Sequence, residues 1–411
     1  MAEQITEKKF RFIPYRRQDI IEMCLREQRL QGQEKEFRHL CGMIGSIFHF
    51  EFHRIIESLK DLYAPIDPDS DTLALDSAKG RADLNFVDVL GELLEKANYE
   101  RITQEDLNQA MNASSLFKIR LHVNFDDFSD ALLFCRGESE RDETVSRWLG
   151  LSKKTITFTN YDRVVIYIRF KEDYEQGKVS FPYCRPGATL LKLFQNVPKA
   201  DLEMLFPNTR IRMRMVDKLL IGIPAVVSGG IVLTTKLGAS LVLMGSLFGF
   251  WLGISSQPVE LNKATLVVLF AGIAALGGYL FKQFNKFKNR KLRFMQTLTQ
   301  NLYFKNLDNN AGVFHRIVND AEEEEGKEAI LAYYFLLANE QSLSRKELDH
   351  LIELWMADKY GCAIDFEIDD ALEKLRTLGL VWESEGKLLA VSIDKGIQKL
   401  DQRWDDYFTP S

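Results

Sequence analysis

Leu237-Gly-Ala-Ser-Leu-Val-Leu-Met-Gly-Ser-Leu-Phe-Gly-Phe-Trp-Leu-Gly-Ile254 contains no Asp, Glu, Lys or Arg. A second uncharged stretch, Ala264–Phe281, follows after the short loop Ser255–Lys263. A helix needs roughly 20 apolar residues to cross the hydrocarbon core of a bilayer. The two stretches are therefore read as transmembrane helices forming a hairpin, at about 237–254 and 264–281. The preceding Leu219–Thr235 is also apolar, but Gly222, Pro224 and Gly229-Gly230 weaken it as a helix. It is interfacial, re-entrant or a third span. Together these segments form a membrane block over 219–281.

Arg210, Arg212, Arg214 and Lys218 precede the block, and Lys282, Lys286, Lys288, Arg290, Lys291 and Arg293 follow it; the central loop carries only Glu260 and Lys263. Basic flanks stay on the cytoplasmic or matrix side, so both termini are placed there and an even number of spans is expected. Gly245, Gly249 and Gly253 recur at four-residue spacing, which on a helix clears one face for close packing. The partner is either the second span, through Ala271, Ala274, Ala275 and Gly278, or another copy of the chain in a homo-oligomer.

Outside the block the chain reads as water-facing. Its 411 residues are 27% charged with a formal net charge of −6, and mean hydropathy is −0.17. A chain this long exceeds one core, and the charge argues against general nucleic-acid affinity. Cys24, Cys41, Cys135, Cys184 and Cys362 are scattered, with no C-x-x-C pair, which suits a reducing compartment. Met1–Phe10 has neither the apolar core of a secretory signal nor the Arg/Ser-rich character of a transit peptide.

The expected fold class is α+β with integral membrane helices. An N-terminal helical region occupies 1–70, where Leu40, Ile44, Ile47, Phe48, Phe52, Ile55, Leu59 and Leu62 mark one buried helix face and the prolines after Tyr63 end it. An antiparallel-sheet domain occupies 71–218. It has a helix near Phe86–Ala97, a strand in the alternating Phe117–Phe125, and a hairpin pairing Thr155–Thr159 with Arg163–Phe170 around Asn160-Tyr-Asp162. A helical connector spans 282–340, with a helix at Ala321–Leu337 whose acidic opening, Glu322–Glu325, reads as a solvated first turn. At 341–411 the order helix, helix, strand, strand, helix is winged-helix-like. That unit holds nine Lys and Arg against fifteen Asp and Glu, so protein contact suits it better than DNA.

His49, His53 and Glu57 share a helix face at four-residue steps and form a candidate metal site, although the pattern is not H-E-x-x-H and no second ligand cluster accompanies it. Arg210, Arg212 and Arg214 alternate in an extended segment, and are candidates for binding anionic lipid headgroups. No phosphate loop, dinucleotide fingerprint, nucleophile elbow or kinase set occurs, so no catalytic residue and no cofactor is nominated.

Phe12-Ile-Pro14, Leu59–Asp69, Asn196–Asn208, Asn301–Val313 and Ala321–Tyr334 resemble an uncharacterised membrane-protein family, a domain of unknown function, that includes transmembrane protein 143. The resemblance covers most of the chain and assigns no catalytic residues. It implies a membrane protein of bacteria or of eukaryotic organelles, and the opening residues favour the bacterial inner membrane. The expectation is a membrane-anchored interaction or regulatory protein with its soluble regions on the cytoplasmic side. Its partners would be the lipid bilayer, anionic lipids, a protein held by the acidic C-terminal unit, and further copies of itself, with no nucleic acid. The alternatives are an oligomeric channel or transporter, and then a membrane-bound enzyme.

Overall fold

A computed structural model describes residues 9–70, 86–103, 120–147, 152–174, 184–208, 210–212, 238–254, 303–339 and 341–407, with 105, 107 and scattered positions between 263 and 296. Its helices are α1 (Arg17–Arg26), α2 (Glu34–Tyr63), α3 (Phe86–Lys96), α4 (Gly238–Trp251), α5 (Ala311–Ala338), α6 (Arg345–Tyr360), α7 (Ile368–Thr377) and α8 (Ile393–Asp406). The strands are β1 (Glu100–Arg101), β2 (Arg120–His122), β3 (Phe128–Arg147), β4 (Ser152–Phe170), β5 (Thr189–Pro198), β6 (Arg210–Arg212), β7 (Asn306–Asn309), β8 (Val381–Ser384) and β9 (Lys387–Ala390). The chain divides into two compact units. One comprises Met1–Ala113, Asn124–Leu202 and Lys305–Ser411; the other comprises Ser114–Val123 and Glu203–Phe304.

The first unit is α+β. Its antiparallel sheet has the order β1-β3-β4-β5-β7. Leu132, Phe134, Val165, Tyr167, Leu191 and Leu193 alternate along three adjacent strands and join the helical core from one face. At the centre of that core is α5, which touches α1, α2, α3, α6 and α7 as well as β5, β7 and β9. A helix approached from all sides must be buried all round, and α5 is buried along most of its length. It begins at Asn310, whose positive φ of 50° suits an Asn. The Asn310 side chain accepts from the Tyr63 hydroxyl at 3.1 Å, which fixes the end of α2 beside the start of α5.

Several expectations hold locally. The helix read around Leu40–Leu62 is α2, which ends at Tyr63, and its buried face includes Leu40, Ile44, Phe48, Phe52 and Leu59. Ser344 caps α6, accepting from the Glu347 amide while the Glu347 carboxylate accepts from the Ser344 amide. Val381–Ser384 and Lys387–Ala390 form the late hairpin, and a bridge from Leu343 to Leu388 adds a third strand position beside it.

Others are corrected. The hairpin around Asn160-Tyr-Asp162 does not form, because β4 runs unbroken through these residues and pairs along its length with β3. Asn160 and Tyr161 are buried, and the turn-like polarity of the triplet is accommodated across the ladder. There Gly137 adopts a φ of +71°, and a Cβ on it would lie 2.6 Å from an Asp162 carboxylate oxygen. Of the strand read at Phe117–Phe125, residues 120–125 are described: only Arg120–His122 is strand, and Phe125 already opens a short 3-10 helix, Phe125–Asp127. Asn306–Asn309 is an edge strand, and α5 starts ten residues before the expected helix. Glu322–Glu325 is therefore mid-helix.

The expectation of integral membrane helices in a hairpin is overturned: among the described residues no helix is long and apolar enough to cross a membrane. The described helix in this region, α4, has 14 residues, or about 21 Å at 1.5 Å per residue, against a hydrocarbon core of about 30 Å. Its end is well defined. The Ile254 amide donates to Gly249 O at 2.8 Å and the Gly253 amide to Phe250 O at 3.1 Å. With Gly253 at φ +72°, this is the paired-bond stop that a left-handed glycine permits. Leu219–Thr235 lies outside the described residues, and Ala264–Phe281 is described only at separate positions.

Candidate functional site

The sequence Glu322-Glu-Glu-Glu-Gly-Lys-Glu328 carries the first unit's densest chemistry. Continuing the apolar period of Val313, Phe314, Ile317 and Ala321 along α5 leads to Glu324, Glu325 and Glu328, so helix geometry drives these carboxylates into the core. Glu324 is 1% exposed and Glu328 2%. Buried charges are tolerable only when paired and hydrogen-bonded, and each of these acids has partners.

Glu324 is the hub of the first cluster. It accepts from the Lys327 ammonium at 2.8 Å, from the Ile13 amide at 3.2 Å and from the Arg136 guanidinium. Lys327 also donates to the Ile13 carbonyl at 2.6 Å. Arg136, from β3, lies 3.4 Å from Asp320 and stacks 4.5 Å from the centre of the Phe12 ring. Three distant parts of the chain thus meet at one carboxylate: the N-terminal segment, the sheet and α5.

Lys374 of α7 organises the second cluster, with carboxylate oxygens of Glu328 at 2.7 Å, Asp370 at 2.8 Å and Glu325 at 3.1 Å. Asn98, at the end of α3, donates to the other Glu328 oxygen at 3.0 Å. Burial pushes the Glu328 carboxyl up to about 7, and Lys374 and Asn98 offset this only in part. Glu325 is raised for the same reason. Burial opposes the charge on Lys374, but the surrounding carboxylates outweigh it and the ammonium is held more firmly than usual. One cation among three acids favours retention of a proton at this site.

Arg17 runs between two helices through a slot cleared by glycine. A Cβ on Gly45 of α2 would lie 3.0 Å from the guanidinium carbon, and one on Gly326 of α5 would lie 3.0 Å from Arg17 Cδ. Arg17 Nη1 is buried without a hydrogen bond, and its ion pair is with Glu322 at 3.8 Å. A groove of about 650 Å³ opens beside it along α2, lined in part by His49, Phe50, His53, Glu322 and Trp404.

The candidate metal trio is not assembled. His49, His53 and Glu57 are exposed on α2; His49 Nδ1 is 2.9 Å from Glu322, and Glu57 pairs with Lys60 at 2.7 Å. Among the described residues no group of three or more His, Cys, Asp or Glu could hold a metal ion.

In the second unit, Arg210 and Arg212 lie in β6, whereas Arg214 is outside the described residues. The sequence reading missed their strand partner. β6 pairs with β2, setting Arg212 opposite Arg120, Ile211 opposite Leu121 and Arg210 opposite His122.

Residues 161–312 match the family model described as Protein of unknown function (DUF3754). The match takes in most of β4, then β5, β6, α4 and β7, and stops at the first residues of α5. The charge network on α5 lies beyond it. No solved structure matches the chain.

The glycine series divides within this matched segment. Gly245 lies in α4 with open space around it, and Gly249 is also helical. Gly253 lies past the helix end. Ala271, Ala274 and Gly278 are helical positions exposed to solvent, and Ala275 is outside the described residues.

Proposed function

We propose that this chain is an interaction or regulatory protein that associates with a membrane, and that its relationship extends to the family that includes transmembrane protein 143. The observation supporting this reading is the exposure of large apolar side chains in the second unit: Val242 at 71%, Trp251 at 82%, Ile254 at 81%, Val267 at 67% and Phe281 at 67%. Each such side chain left in water forgoes roughly 1.5–3 kcal/mol of burial, and concentrations of this kind mark interaction surfaces. The occupant consistent with the sequence is lipid. The apolar stretches lack charge, and basic residues gather on both sides of the block, as at a surface with anionic headgroups.

In this reading the first unit is the protein-binding part, on the cytoplasmic side of an inner membrane. Both basic residues of α7 are engaged within the fold, Lys374 in the buried cluster and Arg376 with Glu383 at 2.8 Å. What supports a protein partner is the net acidity of 341–411, nine Lys and Arg against fifteen Asp and Glu.

Flotation of the full-length chain with phosphatidylcholine vesicles tests the membrane reading. The chain is expected to rise with the vesicles, and a Trp251→Glu, Val267→Glu double variant to rise much less. Wild-type protein that stays with the soluble fraction would overturn the reading. Crosslinking from Ser344–Ser392 should recover a reproducible protein partner.

A further inference from the structure

We infer that the acidic face holding Lys9, Phe10 and Arg11 is a docking site for a basic, extended segment of a protein partner, which competes there with the chain's own residues. The inference rests on the protein-binding reading above and names the chemistry of the partner.

Phe10 is added like a strand to the linker between α6 and α7. It forms a parallel bridge to Ile364, its amide donating to Ala363 O and its carbonyl accepting from the Asp365 amide, both at 2.8 Å. Main-chain bonds of this kind accept any sequence, and the side chains beside them give the selectivity. Here both neighbours are cations that reach acids. Lys9 donates to Glu353 at 2.7 Å, and Arg11 pairs with Glu367 at 3.1 Å and Glu100 at 3.6 Å. A groove of about 410 Å³ opens beside Arg11, lined in part by Glu95, Glu100, Arg101 and Glu367.

The chain's own segment leaves this face incompletely neutralised. The Lys9 ammonium is held by its bond to Glu353 and by the charges of Glu353, Asp365 and Asp349, so one cation serves three carboxylates; the other basic group near Asp349 is His350. Asp349 Oδ1 is buried without a hydrogen bond, and burial, then the neighbouring Glu353, raise its carboxyl above the ordinary range. A guanidinium in place of the ammonium offers five donors instead of three, so a segment of the pattern Arg, apolar, Arg fits better than Lys9-Phe10-Arg11. The resident segment is also lightly held. Lys9 and Arg11 are half-exposed, where ion pairs contribute little. Its anchor is Ile13, which is buried and bonded to Glu324 and Lys327. Displacing Lys9–Arg11 therefore leaves the core contact in place.

The test uses full-length protein and a fluorescein-labelled peptide of residues 8–13 carrying Lys9→Arg, followed by anisotropy. Wild-type protein, its site filled, is expected to bind weakly. A Lys9→Glu, Arg11→Glu variant should release the site and bind the peptide about 10-fold more tightly; a Lys9→Ala, Arg11→Ala variant takes its place if the first does not fold. Adding Glu353→Gln and Glu367→Gln to the released variant should remove the gain, as should added salt. Equal binding by wild type and released variant, no binding by either, or a gain that survives the Gln substitutions overturns the site. Crosslinking from Ser344–Ser392 separates the two readings. A partner recovered equally with and without Glu353→Gln and Glu367→Gln overturns this site alone, and no partner at all overturns the protein-binding reading with it. Wild-type protein of doubled mass in light scattering, reduced to one chain by Lys9→Ala and Arg11→Ala, means that copies exchange the segment and overturns the choice of a foreign partner.

Discussion

Lys374 shows how much of this fold depends on single residues. Its ammonium is shared by the buried Glu325 and Glu328 and the half-exposed Asp370. Replacing it with Met keeps the stem volume but strands Glu325 and Glu328 in the core. Removing one partner of a buried pair costs about 3–5 kcal/mol, and urea denaturation of Lys374→Met should show a loss in that range. Glu328 adds a dependence on pH. Its carboxyl, ordinarily near 4.5, is held at about 7 in the folded protein, so the folded state binds that proton more tightly than the unfolded chain. The resulting stability is fully present below pH 4.5 and is lost as pH rises to about 7. A Glu328→Gln variant keeps an acceptor for Asn98 and cannot ionise. Relative to wild type it should therefore gain stability across that window, on the order of 1–3 kcal/mol. Unfolding midpoints at several pH values provide the comparison, and a constant difference would remove Glu328 from the account.

At the scale of elements, glycine has two unlike tasks in this chain. Gly253 ends α4 through a left-handed turn, and Gly137 lets β3 pass Asp162. Gly253→Ala should cost about 1 kcal/mol and release the Gly253 and Ile254 amides to faster hydrogen exchange. Gly245→Ala, in open space on the same helix, should be neutral or slightly stabilising through helix propensity. If both substitutions behave alike, the turn is not what holds the helix end. Gly137→Ala combines an unfavourable backbone conformation with a 2.6 Å approach to Asp162, so a loss of about 1–3 kcal/mol is expected in thermal unfolding.

Across the first unit, the segments around Ile13 and Gly396, far apart in sequence, are built into one core. Phe10 bridges to Ile364, its amide donating to Ala363 O and its carbonyl accepting from the Asp365 amide, both at 2.8 Å. The Ile13 backbone is fixed by Glu324 and Lys327. Gly396 of α8 lies so close to α2 and α5 that a Cβ there would meet Leu40 at 2.8 Å and the Tyr333 hydroxyl at 3.0 Å. A shared core implies cooperative unfolding. Native-state hydrogen exchange should therefore show α2, α5 and α8 opening with the same free energy. Gly396→Ala should lower all three together by about 1–3 kcal/mol through overpacking. Loss of protection in α8 alone would mean that the C-terminal helices form a separate cooperative unit.

Local order was legible in the sequence wherever a short-range rule operates without competition. The apolar period of α2, its stop before the prolines and the two late strands β8 and β9 depend on residues a few positions apart, and local geometry decides them. The basic alternation of Arg210 and Arg212 was visible for the same reason, but its partner Arg120 was not, because strand register joins positions about ninety residues apart. Tertiary structure alone decided that Glu324 and Glu328 are buried. Their cations come from Arg136, Lys327 and Lys374, and a run of acids reads as solvated until those partners are brought to it. It also decided the end of α4. Uncharged composition measures only how long a helix could be, whereas the left-handed φ at Gly253 and the two hydrogen bonds around it set where the helix stops.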